Sequence, residues 1–527
     1  AIAAALIVVG FIMFSLGSHR GSSGSSAPAE QGGGVTVQDD SGGKADNADQ
    51  ADAVDQAGQA DAADIADQTG QEDVSAQAEQ DNPAGQESRI VDTGKAGVTA
   101  SASLSADKLH SWADHSTVQK VVFHNTLDNA PSDAGDLSED GSGSVLAWMD
   151  GSTLNIAGDG GVKAPVSCQN LFSDKDAATD PSRRWNRLEA IEGGQYFDTS
   201  DVTNMFAMFW YCQSLRSVDV SSWDTSRVTS MALMFNNCTN LEELDTSGWD
   251  TSFVTSMSSM FSGCAGLRTL NTSGWNTSRV SDTHYMFSGC SGLDELDVSG
   301  WDTSRFEDMS YMFYGCSGLD GLDVSGWDTG RVSNMHSAFY QCTGLEELDV
   351  SGWKTPRLTN TYSMFKECSV LTSLDMSGWD VSRVTDARSM FYDCGSLGEL
   401  NISGWNLSRI NSTGFMFGKC GSLTELDVSG WDTSGVSEFD YTFYGCGSVE
   451  QLDVSGWDTS GATSMKSMFS GCRSLTSLDV SGWDTSNVTD MNSMFMNCES
   501  LTSLDVSGWD LSNVTDSDKM FNGTILE

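Results

Sequence analysis

The sequence predicts a repeat solenoid of the α/β type, an array of like coils behind a smaller N-terminal domain. Three observations carry this expectation. Tryptophans recur from Trp223 through Trp249 and Trp275 to Trp509 at a constant step of 26 residues, with no insertion or deletion. A cysteine column keeps that step from Cys212 to Cys498, and a phenylalanine column keeps it from Phe209 to Phe521. Within each unit the hydrophobic spacing changes from two to three or four. A residue present in every unit is structural rather than catalytic, because each coil must bury its own face against its neighbours.

The chain opens with "AIAAALIVVGFIMFSLG", residues 1–17. This apolar run is either a signal-peptide core or a short membrane anchor, and both readings export the rest of the chain. Residues 18–97 are Gly, Ser, Ala, Asp and Gln with almost no large apolar side chains. Such a segment cannot bury enough surface to offset its ordering entropy, so it reads as a disordered acidic stalk. As a flexible coil it would span roughly 50 Å.

Residues 98–196 read as a β-rich cap. "VQKVVFHN" has strand character, and "SVLAWMDGSTLNIA" reads as a hairpin in which Asp150-Gly151 supplies the positive φ angles of a primed turn. "CQNLF" at Cys168 and "LEAI" at Leu188 echo the repeat, separated by an excess of about eleven residues. This predicts a degenerate first coil carrying a loop, which would cover one end of the array. His110, His115 and His124 match no metal-ligand spacing.

The array proper occupies residues 197–527. Its unit, L-x-x-L-D-V-S-G-W-D-T-S-x-V-T-x-M-x-x-M-F-x-x-C-x-x, starts with alternation. Leu478 and Val480 face one way, and Ser477, Asp479 and Ser481 face the other. Val488, Met491, Met494, Phe495 and Cys498 then keep helical spacing. Thr485 or Ser486 stands where an N-cap is wanted, and Gly or Asn before the cysteine suits a helix exit. One strand and one short helix per coil is leucine-rich-repeat geometry. The expectation is a right-handed coil of about twelve units, with a parallel concave sheet and short convex helices. A β-propeller blade needs four strands, and the unit is too short for that.

Neighbouring cysteines in such a stack lie about a strand spacing apart, longer than a disulfide prefers, so the column reads as reduced buried thiols. The ninth place, usually the Asn that bonds turn backbone, is Trp. The seventh-place Ser and the Thr-Ser pair after Trp-Asp are the candidates to satisfy that backbone instead.

The formal charge of −47 and the pI near 4.1 exclude nucleic acid as a partner, since phosphate binding needs clustered Lys and Arg. No triad, zinc motif or paired catalytic carboxylate stands outside the repeat columns, so the reading is non-enzymatic and without a cofactor.

The recurring "VTDMNSMFMNC" core and "LDVSGWDTS" strand-turn resemble the BspA-type leucine-rich repeat of bacterial surface proteins, also known as the DUF285 or Mycoplasma-lipoprotein-associated repeat. The resemblance covers residues 197–521. It implies an exported surface protein that adheres to host matrix proteins or other bacteria, and it implies no catalysis; the expected partner is a host matrix or other cell-surface protein, or a glycan. Membrane contact would be through the N-terminal segment alone. A passive envelope spacer is the alternative.

Function should then lie in outward columns. The fifth place reads Asp219, Asp245, Asp297, Asp323, Asp349, Asp375, Asp427, Asp453, Asp479 and Asp505, interrupted by Asn271 and Asn401. The third place faces the same way and carries Glu243, Glu295, Glu347, Glu399 and Glu425. Adjacent carboxylates at a strand spacing repel by about 1 kcal/mol in water and more in protein. One reading is a concave acidic band that accepts a cationic protein surface or bridging Ca²⁺. The other is a solvated ladder tied to nearby Ser and backbone groups. A second outward column is Arg227, Arg279, Arg305, Arg331, Arg357, Arg383 and Arg409. Arginine at a helix start opposes the macrodipole, so the tenth-place Asp, as in Asp302 with Arg305, is its expected partner. The other reading is a basic stripe for sulfated or sialylated glycan.

Overall fold

A computed structural model describes residues 100–526, apart from 101, 113 and 174–183. The apolar segment 1–17 and the stalk 18–97 lie outside the described residues. A short helix, α1 (Ala106–Trp112), precedes β1 (Lys120–His124), β2 (Gly135–Asp136), β3 (Val145–Asp150), β4 (Thr153–Gly158), β5 (Val162–Lys163) and β6 (Ala190–Glu192). β7 (Phe197–Asp198) and β8 (Ser217–Val218) come next. Six of these strands form one sheet in the order β2-β3-β4-β1-β6-β8.

The β3–β4 hairpin pairs Asp150 with Thr153, which corrects the expected turn. Asp150 closes the strand, and Gly151 alone carries the positive φ, 61°. β6 pairs in parallel with β1 on one side and β8 on the other, matching Ile191 to Val218. Ser167 bridges Asn204, which bridges Ser230. Cys168–Phe172 and Leu188–Ile191 thus occupy the place of a coil before Leu215. The sheet of the N-terminal domain runs straight into the first strand of the array, so no open edge separates them.

Along the array, each coil adds a strand of two or three residues. β9 (Glu243–Leu244), β10 (Thr269–Leu270) and β11 (Glu295–Leu296) form one parallel patch. β12 (Ser373–Asp375) pairs with β13 (Glu399–Asn401), and β14 (Ser477–Leu478) pairs with β15 (Ser503–Leu504). The alternation holds residue by residue: Leu478 is 5% exposed and Val480 0%, while Ser477, Asp479 and Ser481 face solvent.

The convex helices are not there, and this is the main correction. Among the described residues α1 is the one α-helix. The stretch expected to be helical is a ladder of turns. The amides of Met257, Ser259, Phe261 and Gly263 donate to the carbonyls of Asp282, His284, Met286 and Ser288 in the next coil. The alternate amides of Met260, Ser262 and Cys264 donate back to Met257, Ser259 and Phe261. Two residues per coil adopt positive φ, here Ser259 at 54° and Gly263 at 76°. Each left-handed residue ends any helical run and turns the next amide along the stack. Hydrogen bonds that a helix would keep to itself run between coils instead. Thr485 correspondingly caps no helix; its hydroxyl donates to the Asp510 carbonyl of the next coil.

The core is continuous. From Phe172 to Phe521 the phenylalanine rings stack coil on coil, with centroids 5.2–5.8 Å apart and planes within 17°. Such pairs add about 0.5–1.5 kcal/mol each beyond their area burial. The ninth-place indoles lie beside them, 0–6% exposed up to Trp483. Several donate from Nε1 to the sixth-place carbonyl of the previous coil, as Trp353 does to Val324 at 3.0 Å.

Candidate binding faces

Inward columns are occupied in holding the stack. All thirteen cysteines are free and buried. The thiol of Cys290 donates to the Phe261 carbonyl at 3.2 Å, and burial pushes it up to about 12. The buried eleventh-place threonine takes over from the missing Asn. Thr303 Oγ1 accepts the Asp328 amide at 2.7 Å and donates to the Asp328 carbonyl at 3.0 Å. The same pair of bonds recurs at Thr225, Thr251, Thr329 and Thr355. Val381 and Leu407 interrupt this line.

The strand face carries the predicted acidic residues, all exposed: Asp245, Asp297, Asp323, Asp349, Asp375 and Asp427, with Glu243, Glu295, Glu347, Glu399 and Glu425. Its geometry is less of a band than the sequence suggests. Glu243 and Glu295 both pair with Thr269, Glu347 bridges Gly321, and Glu399 pairs with Ser373. A neutral residue therefore separates the glutamates until Glu399 and Glu425. The aspartates are tied down locally. Oδ1 of Asp427 accepts both the Ser429 hydroxyl at 2.7 Å and the Ser429 amide at 3.1 Å. Such bonds hold the carboxyls of Asp245, Asp297, Asp349 and Asp427 below the usual range. Among the described residues no group of three His, Cys, Asp or Glu side chains is placed to hold a metal ion.

The tenth-place carboxylates behave alike, and the expected Asp–Arg pairing is present at Asp302 with Arg305 and at Asp380 with Arg383 as an attraction secondary to the bonds from Ser. Asp302 is lowered first by the Ser304 hydroxyl and amide, and only then by the charge of Arg305. Arg331 instead reaches Glu307 of the previous coil at 3.3 Å, Arg227 reaches Asp201 at 3.0 Å, and Arg279 lies over the Phe253 ring. Arg305, Arg357, Arg383 and Arg409 are exposed in the same column.

A third face is hidden in the repeat pattern. The turn ladder carries Tyr, His, Lys and Arg among the eighteenth, nineteenth and twenty-second places of its middle coils, several of them largely buried, with Tyr285 8% exposed, Tyr340 6% and Lys366 3%. Tyr285 stacks on Tyr311 at 4.3 Å, Tyr311 meets His336 at 4.7 Å, and His336 meets Tyr362 at 4.9 Å. The Arg388 guanidinium lies over Tyr362. A parallel run goes from Tyr314 to Tyr340, then through Lys366 to Tyr392, and on to Phe415, Tyr441 and Tyr444. Gly418 makes room for this run, because a Cβ there would meet the Tyr392 ring at 2.8 Å. No single column is constant, so a search for constant places within the unit passes over the strip. The recurrence of aromatic and basic residues at three places together is the signal that could have found it.

The histidines of the N-terminal domain pack through their rings, and His110 meets His115 edge-on at 5.4 Å. His115 stacks on Trp185 at 4.5 Å, and His124 stacks on Trp148 while its Nε2 pairs with Asn155 Oδ1 at 2.9 Å.

A family model described as "Mycoplasma protein of unknown function, DUF285" matches residues 168–296, 242–321, 293–399, 319–426 and 415–525, together spanning 168–525. Among solved structures, a leucine-rich repeat protein from Eubacterium ventriosum is similar at 13% identity, over 73% of this chain and 93% of that one, with a TM-score of 0.28. The functional domain of InlJ from Listeria monocytogenes, described as including a cysteine ladder, is similar at 16% identity over 57% and 62%, with a TM-score of 0.19. No curated protein sequence matches the chain.

Proposed function

The chain belongs to the DUF285 family, and from that premise we propose that it is a non-enzymatic bacterial surface protein, an adhesin that presents a leucine-rich solenoid to protein or glycan ligands. The finer frame of this reading is a right-handed array of about twelve coils with its strand face concave. One observation carries the proposal. The recurrent Phe, Trp, Cys and Thr are buried in the packing and hydrogen bonds of the stack, so the side chains free to meet a ligand lie in outward columns that run across several coils. Surfaces of this kind, built from neighbouring repeats, suit extended partners.

Two outward faces serve the proposal. The strand face, with its exposed carboxylates, suits a cationic surface on a host matrix or other cell-surface protein. The Arg279–Arg409 column suits anionic or polyhydroxylated ligands. Export through residues 1–17 and display on the stalk belong to the same proposal; among the described residues no helix is long and apolar enough to cross a membrane. The experiment is titration of the full chain over immobilised matrix proteins and a glycan array. Saturable binding supports the adhesin reading. Its absence throughout leaves the passive spacer, a reading that the local Asp–Ser ties also suit.

A further inference from the structure

The turn face contains a groove of about 340 Å³ where the aromatic strip ends, between the coils that begin at Leu397 and Leu475. Its volume falls in the range of small-ligand sites, about 300–1,000 Å³. The groove exists because side chains are missing. Gly445 and Gly471 hold positive φ of 72° and 79°, and with Gly447 they leave bare backbone as its floor. Lys419 and Arg473 are its charged lining residues, and no carboxylate lines it. In a chain with 74 acidic against 27 basic residues, that selection of charge is the informative feature. Lys419 contacts Asp393 at 3.4 Å and Arg473 contacts Glu499 at 3.5 Å, both in solvent-exposed pairs. Exposed pairs contribute little and yield readily to a competing anion. Tyr444 completes the wall, and it meets Tyr441 in a T-shaped contact at 83°.

We propose that this groove is a binding site for an anionic saccharide, with Lys419 and Arg473 taking the carboxylate or sulfate and Tyr444 flanking the sugar ring. The proposal rests on the adhesin reading and names its ligand class. An aromatic ring beside a floor of bare glycine backbone suits a pyranose, whose faces are apolar and whose edges bond through hydroxyls. Asn497 supplies polar atoms along the same wall. An acidic peptide would use the two cations but not the glycine floor and ring together.

The test titrates the full chain with sialyllactose, with sulfated lactose, and with neutral lactose, monitored by calorimetry and saturation-transfer NMR. At least one anionic sugar should bind saturably, more weakly as salt rises, and about tenfold or more above lactose. Whichever binds better identifies carboxylate or sulfate as the natural anion. Arg473→Gln and Lys419→Gln should each weaken binding by about fivefold or more. Gly447→Tyr should abolish it with both charges intact, since a Cβ there meets nothing closer than 3.9 Å and the new ring fills the groove. Unchanged melting shows that each variant is folded, and the charge and filling variants fail independently. Equal binding of lactose, equal binding of a hexaglutamate peptide, or wild-type affinity in both Arg473→Gln and Gly447→Tyr would overturn the proposal. If no anionic sugar binds while the chain still captures matrix proteins, the saccharide assignment alone fails. If nothing binds, the adhesin reading fails with it.

Discussion

The thiol of Cys264 donates a hydrogen bond to the backbone carbonyl of Phe235 at 3.1 Å, across the junction between two coils. The contact repeats along the array, to Cys498 and Phe469 at 3.1 Å. Each thiol fills the core as a small apolar group and adds a second hydrogen bond to a carbonyl that already accepts an amide within its own coil, as Phe235 does from Cys238.

Loss of either role should be measurable at a central coil. Cys342→Ala removes the bond to Phe313 and leaves a small void. The expected cost is about 1–3 kcal/mol in urea unfolding. Cys342→Val fills the volume but cannot donate, so it should be destabilising too. A neutral Val variant would show that packing alone explains the column.

The same burial makes the array sensitive to alkali. Cys290, Cys368 and Cys446 ionise near 9.0 when exposed but only at about 12 when buried. The unfolded chain therefore sheds these protons first. Their contribution to stability is complete below pH 9.0 and declines as pH rises toward about 12. Urea midpoints should fall between about pH 8 and about pH 11, and a variant with these three cysteines as Ala should show a shallower fall. Native thiols should also resist a disulfide reagent until the chain unfolds.

The threonine line makes a prediction in both directions. Thr303→Val keeps the shape but leaves the amide and carbonyl of Asp328 without their partner, and should cost about 2–4 kcal/mol. Val381 stands where that line is naturally broken, buried at 3% exposure. Val381→Thr places a hydroxyl at the same point of its coil and should stabilise the junction by about 1 kcal/mol. Urea unfolding of both variants checks the pair.

How much of the fold is legible in the sequence depends on where the hydrogen bonds run. Leu478, Val480, Phe495 and Cys498 are inward as their spacing says, because burial is what patterning encodes. The same spacing reads as a helix, since turns and helices bury residues three and four apart alike. What separates them is the left-handed backbone at Ser493 and Asn497, φ 57° and 60°, and non-glycine residues do not announce it. The threonine ladder is legible as a need, because the Asn place holds Trp. The aromatic strip is not, because its members move among three places of the unit, and only stacking of the coils aligns them.

The acidic strand face yields the last prediction. Glu243, Glu295, Glu347, Glu399 and Glu425 are exposed and unneeded for packing, so replacing all five with Gln should leave stability within about 0.5 kcal/mol. The fifth-place aspartates are unsuited to this test, since Asp427 also holds the Ser429 turn. If the strand face docks a cationic partner, the five-fold variant should lose about tenfold or more of its affinity for a basic matrix protein, and the salt dependence of binding should flatten. Unchanged affinity with unchanged salt dependence would remove the strand face from the binding surface. The turn face, with its groove at Lys419 and Arg473, would then carry recognition by itself.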